Sequence, residues 1–365
     1  MKGATLMSIP AFSEKELNIT GNFTVCAGWP PVPRRDYPIS PRENLNMALR
    51  REGAAWIPSF TTDILQFNSR VIPDCIARGE VRDLGPAMSD EEKGGPDMFG
   101  IPWIFMPEAH GSMEDPKYPH VFEDVEDWES TVTFPDPDTF DWESAKKINA
   151  AIENDDRARF VTFHNGMFER LISFMGFEGA VVALIDEDSQ EDVRALFDKL
   201  ADLYIELIKR LRGCFSFDGV HFHDDWGTQR GPMFSCSTCQ EIVAPAIKRI
   251  VDYCHSEGLW FLHHSCGLNE MMVPAMLDQG DDMWMPQPMN DARMIRAEYG
   301  DKLMIGIHPP VPPPDADAET LDALAKAYVD EFAPGFKERP FFVPDFGHPQ
   351  AYKDAIYKYS RIALG

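Results

Sequence analysis

From about residue 158 to its end the chain alternates short apolar stretches with amphipathic helical ones, and no other feature limits the fold as much. RFVTFHNG, DGVHFHDDWG, LWFLHHSCG, DDMWMPQ, KLMIGIHPP and RPFFVPDFG read as strands, each separated from the next by helical sequence. In the clearest helix, opening at Ser189, Val193, Leu196, Leu200, Leu203, Leu207 and Leu211 keep one apolar stripe. Consecutive βα units joined by right-handed crossovers give a doubly wound sheet or a closed barrel. No glycine-rich phosphate loop follows any of these strands, which argues against dinucleotide-binding and P-loop folds. The expected fold is therefore α/β, a (β/α)8 TIM barrel with its site at the carboxyl ends of the strands. AAWIPSF, near residue 56, is a further strand candidate, and FGIPWIF offers another.

One barrel domain is expected to span 1–365. Within it, residues 1–38, broken up by WPPVPRRDYP, read as an N-terminal extension, and Ser40 caps a first helix in SPRENLNMALRREG. Residues 61–155 are aromatic, acidic and rich in Pro and Gly. They read as an insertion packed over the barrel mouth as a lid.

Acidic residues outnumber basic ones 60 to 34, for a net charge of −26, which excludes nucleic acid and anionic membrane surfaces as partners. The first 19 residues carry no apolar run of signal-peptide or membrane-span length, and seven cysteines are scattered without regular spacing. A cytoplasmic protein is expected, and a homo-oligomer is compatible with the sequence.

Side chains alternate along a strand. In DGVHFHDDWG this puts His221, His223 and Asp225 on one side, and in LWFLHHSCG it puts Leu262, His264 and Cys266 together. Of ten histidines, seven (164, 221, 223, 263, 264, 308 and 348) lie at or just past strand ends. His264 and Cys266 are zinc-ligand types at strand-end spacing. His223, Asp224 and Asp225 are candidates for proton transfer, and His164, Trp226 and Trp103 for the substrate wall. Cys236-Ser-Thr-Cys239, without a second such pair, reads as two packed or partly exposed thiols.

HHSCG, DGVHFHDDWGTQRGPMFS and SPRENLNMALRREGAAWIPSF together resemble the uroporphyrinogen decarboxylase superfamily, in its corrinoid-dependent methyltransferase branch of O-demethylase type. The similarity runs from about residue 38 to the end. It implies a (β/α)8 barrel and a zinc ion held by an H-x-C pair, matched by His264 and Cys266. It also implies methyl transfer from a small donor, with a methyl aryl ether as the best guess, to the Co(I) of a separate corrinoid protein. The family's third, distant cysteine has no match, because the last strand reads PDFGHP. His348 is expected in its place, with Asp345, His308, His223, Asp225 and His221 as alternatives. Carboxylate or imidazole in place of thiolate makes a harder metal site, suited to an ether oxygen. The arginine-rich motif of the true decarboxylases is absent from CAGWPPVPRRDYP. A metal-free decarboxylase and a non-catalytic binding protein on the same barrel remain the alternative readings.

Overall fold

A strand covered on both faces must be apolar along most of its length, and six of the stretches from residue 158 onward meet that condition. In the computed structural model, which describes residues 9–109 and 111–365, they form β2 (Ala158–Phe163), β3 (Gly219–His223), β4 (Trp260–His264), β5 (Met283–Met285), β6 (Met304–Gly306) and β7 (Phe341–Phe342). The first barrel strand, β1, is Ile64–Phe67. The first eight residues of the expected extension lie outside the described residues.

The seven strands run parallel, and each pairs with its neighbours in sequence, from β1 beside β2 through to β6 beside β7. The ring closes through a parallel bridge between Ser59 and Val343. There Phe60 N donates to Val343 O at 2.9 Å, and Val343 N donates to Pro58 O at 2.8 Å. The architecture is an α/β barrel. The strand expected near residue 56 is reduced to this bridge, because the chain turns helical over Phe60–Asp63 before entering β1. FGIPWIF does not join the barrel either: Pro102–Met106 is the middle strand of a separate antiparallel sheet with Gly95–Pro96 and Gly111–Glu114. The insertion accordingly begins after β1 rather than at residue 61.

Nine helices of one and a half turns or more lie among the described residues: Trp142–Asn149 inside the insertion, and eight around the barrel, α1 (Pro41–Leu49), α2 (Met167–Ile185), α3 (Gln190–Cys214), α4 (Ala244–Ser256), α5 (Val273–Gln279), α6 (Ala292–Tyr299), α7 (Ala318–Phe332) and α8 (Gln350–Leu364). Ser40 caps α1 by accepting from Glu43 N at 3.1 Å. Pro245 lies in the first turn of α4 rather than breaking a helix, and a π-helical turn, Cys239–Val243, precedes it. Phe222 of β3 packs its ring on Tyr204 of α3, 5.4 Å between centroids, which fixes the outer face of that strand. By alternation His221 and His223 point inward. The segment near Glu16 is strapped to α8, where Glu16 accepts from Arg361 Nε at 2.8 Å and from the Tyr357 hydroxyl at 2.6 Å. No helix among the described residues is long and apolar enough to cross a membrane.

Candidate metal centre

Register brings the two motifs face to face. His223 of β3 pairs directly with His264 of β4, and their rings lie 4.9 Å apart. Two residues further along each strand come Asp225 and Cys266. The outcome is that His223, Asp225, His264 and Cys266 each place a ligand atom within 4.8 Å of the other three. His264 Nε2 is 3.4 Å from Cys266 Sγ, and His223 Nε2 is 3.7 Å from Asp225 Oδ1. Donor atoms at 2.0–2.3 Å around a tetrahedral zinc lie roughly 3.3–3.8 Å apart, so both spacings suit one ion.

Hydrogen bonds behind the cluster orient both imidazoles the same way. His264 Nδ1 donates to Met285 O at 2.9 Å, leaving Nε2 as a lone pair facing Cys266. His223 Nδ1 meets Glu169 Oε2 at 2.8 Å, and Glu169 Oε1 accepts from Arg78 Nη2 at 2.9 Å. A carboxylate behind a histidine, itself held by a further group, is the usual support of a metal-bound imidazole. Two imidazoles, a thiol and a carboxylate with this outer support fit zinc by donor type as well as by spacing.

The electrostatics agree. Burial opposes the Glu169 carboxylate, but Arg78 and His223 outweigh it and bring its pKa down to about 2. Burial likewise opposes the His223 cation, yet Asp225 and Glu169 hold its pKa well above the usual imidazole range. His264 goes the other way: burial and the neighbouring His223 push it down to about 4. Burial raises the Cys266 thiol. Without a metal, therefore, the proton sits on His223 and on sulfur, and His264 is a ready lone pair.

The loops that carry these residues are tightly built. Cys266 N donates to Asp225 Oδ1 at 2.6 Å, Gly267 N to Gln287 Oε1 at 2.8 Å, and Trp226 N to Ser265 Oγ at 2.8 Å. Gly267 has φ +96°, and a Cβ there would lie 2.3 Å from the Gly227 backbone, so only glycine lets the two loops meet.

The other expected site residues fall elsewhere. Asp224, fully buried, accepts from Phe168 N (3.1 Å), Glu169 N (2.9 Å) and Trp226 Nε1 (2.9 Å), so it caps α2 and anchors the indole behind the mouth. Burial and the Glu169 charge raise its pKa to about 6. Trp226 is itself core, with its ring edge-on to His263. Trp103 belongs to the insertion sheet, donates to Asp97 at 3.1 Å and lies under the Arg78 guanidinium, 5.1 Å away. His348 is not in the ligand cluster; it packs on Tyr352 and lines a cavity of about 460 Å³ with Trp29, Phe60, Gln66 and Arg82. Asp345 is taken up by Thr61 and Lys353, and His308 by Pro286 O at 2.8 Å. His164 does reach the mouth: it is buried, 5.6 Å from the His223 ring, and its Nε2 has no partner among the described residues. Burial, then His223, Arg82 and Arg78, keep it neutral by lowering its pKa well below the usual range. A larger groove of about 770 Å³ around Arg293, Arg296 and Arg339 carries none of the histidines. Cys236 and Cys239 are both free thiols.

Sequence reasoning missed Glu169 and Arg78. The signal that could have found Glu169 is its position, on the first turn of the helix that follows the β2 end, above the strand ends.

No family model matches this chain, and no curated protein matches it. Among solved structures, it overlaps a sugar phosphate isomerase/epimerase from Parabacteroides distasonis ATCC 8503 at 10% identity, covering 67% of this chain and 83% of that one, with a TM-score of 0.31. It overlaps TcOYE solved with pHBA at 12% identity, covering 64% and 80%, with a TM-score of 0.34. A 2,3-dimethylmalate lyase of the PEP mutase/isocitrate lyase superfamily overlaps at 11% identity, covering 59% and 72%, with a TM-score of 0.24. Overlaps this loose do not reach chemistry.

Proposed function

We propose that this protein is a zinc-dependent methyltransferase, which takes a methyl group from a small donor, foremost a methyl aryl ether, and passes it to the Co(I) centre of a corrinoid carried by a separate protein. The observation that carries the reading is the convergence of His223, Asp225, His264 and Cys266 within 4.8 Å at the carboxyl ends of two adjacent barrel strands. When bound, zinc would supply a Lewis acid for the donor's oxygen.

The chain's own residues have distinct parts in this reading. His223, His264 and Cys266 form the ligand trio of an open, catalytic-type site, and Asp225 ties the Cys266 backbone in place through its 2.6 Å hydrogen bond. Glu169 and Met285 O hold the two imidazoles with Nε2 forward. His164 offers a neutral imidazole to the donor from the same layer. In the transfer the donor's carbon–oxygen bond breaks as a cobalt–carbon bond forms. The cobalt electron pair enters the new bond, and the oxygen departs with its own pair as a phenolate, which solvent protonates. Asp224, committed to three N–H groups, is not assigned the role of acid.

The test follows the spectrum of free cob(I)alamin as it is methylated, with a panel of methyl ethers, methylamines and methyl thioethers and with zinc-loaded and metal-free protein. Zinc-dependent methylation from ethers supports the reading. Methylation from amines or thioethers alone replaces the donor, and no methylation from any donor at any metal content overturns it.

A further inference from the structure

Beneath the metal cluster one imidazole proton is fixed in place by a chain of hydrogen bonds. Arg82, from the insertion, donates through Nη1 to Gln66 Oε1 on β1. That contact turns the amide so that its nitrogen meets His221 Nδ1 at 2.6 Å. An amide nitrogen can only donate, so Nδ1 must accept with its lone pair. The Thr162 hydroxyl, 3.4 Å from the same atom, can donate there as well. The ring is then neutral, and its single proton sits on Nε2.

His221 is 3% exposed, and Nε2 has no hydrogen-bond partner among the described residues. A buried N–H without an acceptor is costly to the fold, and such groups in native proteins call for a functional account. The position supplies one. On the inner face of β3, His221 sits one layer below His223, opposite Thr162 and Leu262, with its ring 6.2 Å from that of His264. Gln66 and Arg82, the residues that set its tautomer, also line the cavity of about 460 Å³. The ring thus stands behind Gln66 at the cavity wall and one layer below the ligand cluster.

We propose that His221 is a substrate-positioning residue, whose Nε2–H receives an acceptor oxygen of a small molecule bound in the barrel mouth. The ligand class is a small molecule that presents an ether or carbonyl oxygen to the floor of the site, besides any group directed at the metal. The proposal rests on the reading of this mouth as the substrate site, but its test requires neither metal nor methyl transfer.

Two measurements on the full chain decide it. First, long-range ¹H–¹⁵N correlation spectra of histidine-labelled wild-type protein report the tautomer, and Nε2–H is expected for His221. Second, affinities for anisole and for ethylbenzene, nearly the same shape without the oxygen, are compared by NMR titration. Wild type should prefer anisole by about tenfold, the order expected for one buried donor given or denied its acceptor. Gln66→Glu replaces the amide donor by an acceptor and moves the proton to Nδ1; His221→Phe removes it. Both should bring the ratio near one. An Nδ1–H tautomer in wild type, equal wild-type affinities, or an unchanged ratio in both variants overturns the proposal. A protein that keeps the ratio but transfers no methyl group supports the donor and overturns the function proposed above; methyl transfer without the ratio overturns the donor alone.

Discussion

The backbone N–H of Cys266 donates to Oδ1 of Asp225 at 2.6 Å. This bond joins the loop after β4 to the loop after β3, and it holds the thiol and the carboxylate on the same side as His223 and His264. Asp225→Ala removes both the carboxylate and the anchor, whereas Asp225→Asn keeps an acceptor for the Cys266 amide. Zinc affinity, read by competition with a chromophoric chelator, is expected to fall more in the alanine variant. Equal affinities in wild type and both variants would take Asp225 out of the site.

Glu169 supports His223 without touching the metal itself. Glu169→Gln preserves the shape of the side chain but removes the charge shared with Arg78 and His223. Loss of such outer support typically costs 10–100-fold in metal affinity, and a fall in that range is the expected result of the same chelator competition. Unchanged affinity would reduce Glu169 to a helix-start carboxylate.

Asp224 predicts the opposite pattern. Because it caps α2 and holds the Trp226 indole, Asp224→Ala should lower stability by at least about 0.5–2 kcal/mol, the usual cost of a lost N-cap. Urea denaturation would show this, and the zinc content of the folded variant should equal that of wild type. Lost zinc with unchanged stability would restore Asp224 to the site.

Metal binding should release protons. With Asp225 and Glu169 raising the His223 pKa, and burial raising that of Cys266, both groups are protonated in the metal-free protein near neutral pH. Zinc must displace both, so affinity should weaken as pH falls, with about two protons released per ion. Calorimetry in buffers of different ionisation enthalpy counts them. No dependence on the buffer would mean that neither group is a ligand.

Acid stability follows from Glu169. Its pKa is about 2 in the folded protein against an ordinary value of 4.5, so between those values the unfolded chain binds the proton more readily. The stabilisation is whole above about pH 4.5 and is lost as pH falls through 2. In Glu169→Gln this part of the pH dependence should disappear from denaturation curves. An identical acid limb in the variant would assign acid unfolding to other carboxylates.

Strand alternation alone placed His223 with Asp225 and His264 with Cys266, since period two is a local property of the chain. It could not supply register. Which strand sits beside which, and at what height, depends on the closed ring, and so the third ligand was sought at His348 on the last strand instead of at His223 on the adjacent one. Trp103 and Trp226 show the same limit from another side: an aromatic residue beside a motif looks the same in sequence whether it lines a pocket or fills the core. The bridge at Ser59 shows it in the fold, where AAWIPSF is apolar enough for a strand but the turn at Phe60–Asp63 leaves it a single pairing. Glu169 shows in the sequence only as an acidic residue in the first turn of the helix after β2, and its role exists only once α2 is packed against the end of β3.

X-ray absorption at the zinc edge of the reconstituted protein tests the metal centre most directly. The expected spectrum has one sulfur at about 2.3 Å and nitrogen or oxygen neighbours at about 2.0–2.1 Å, with imidazole scattering. The sulfur shell should vanish in Cys266→Ser. A zinc shell of oxygen and nitrogen alone in wild type, or a sulfur shell that survives Cys266→Ser, would contradict the assignment.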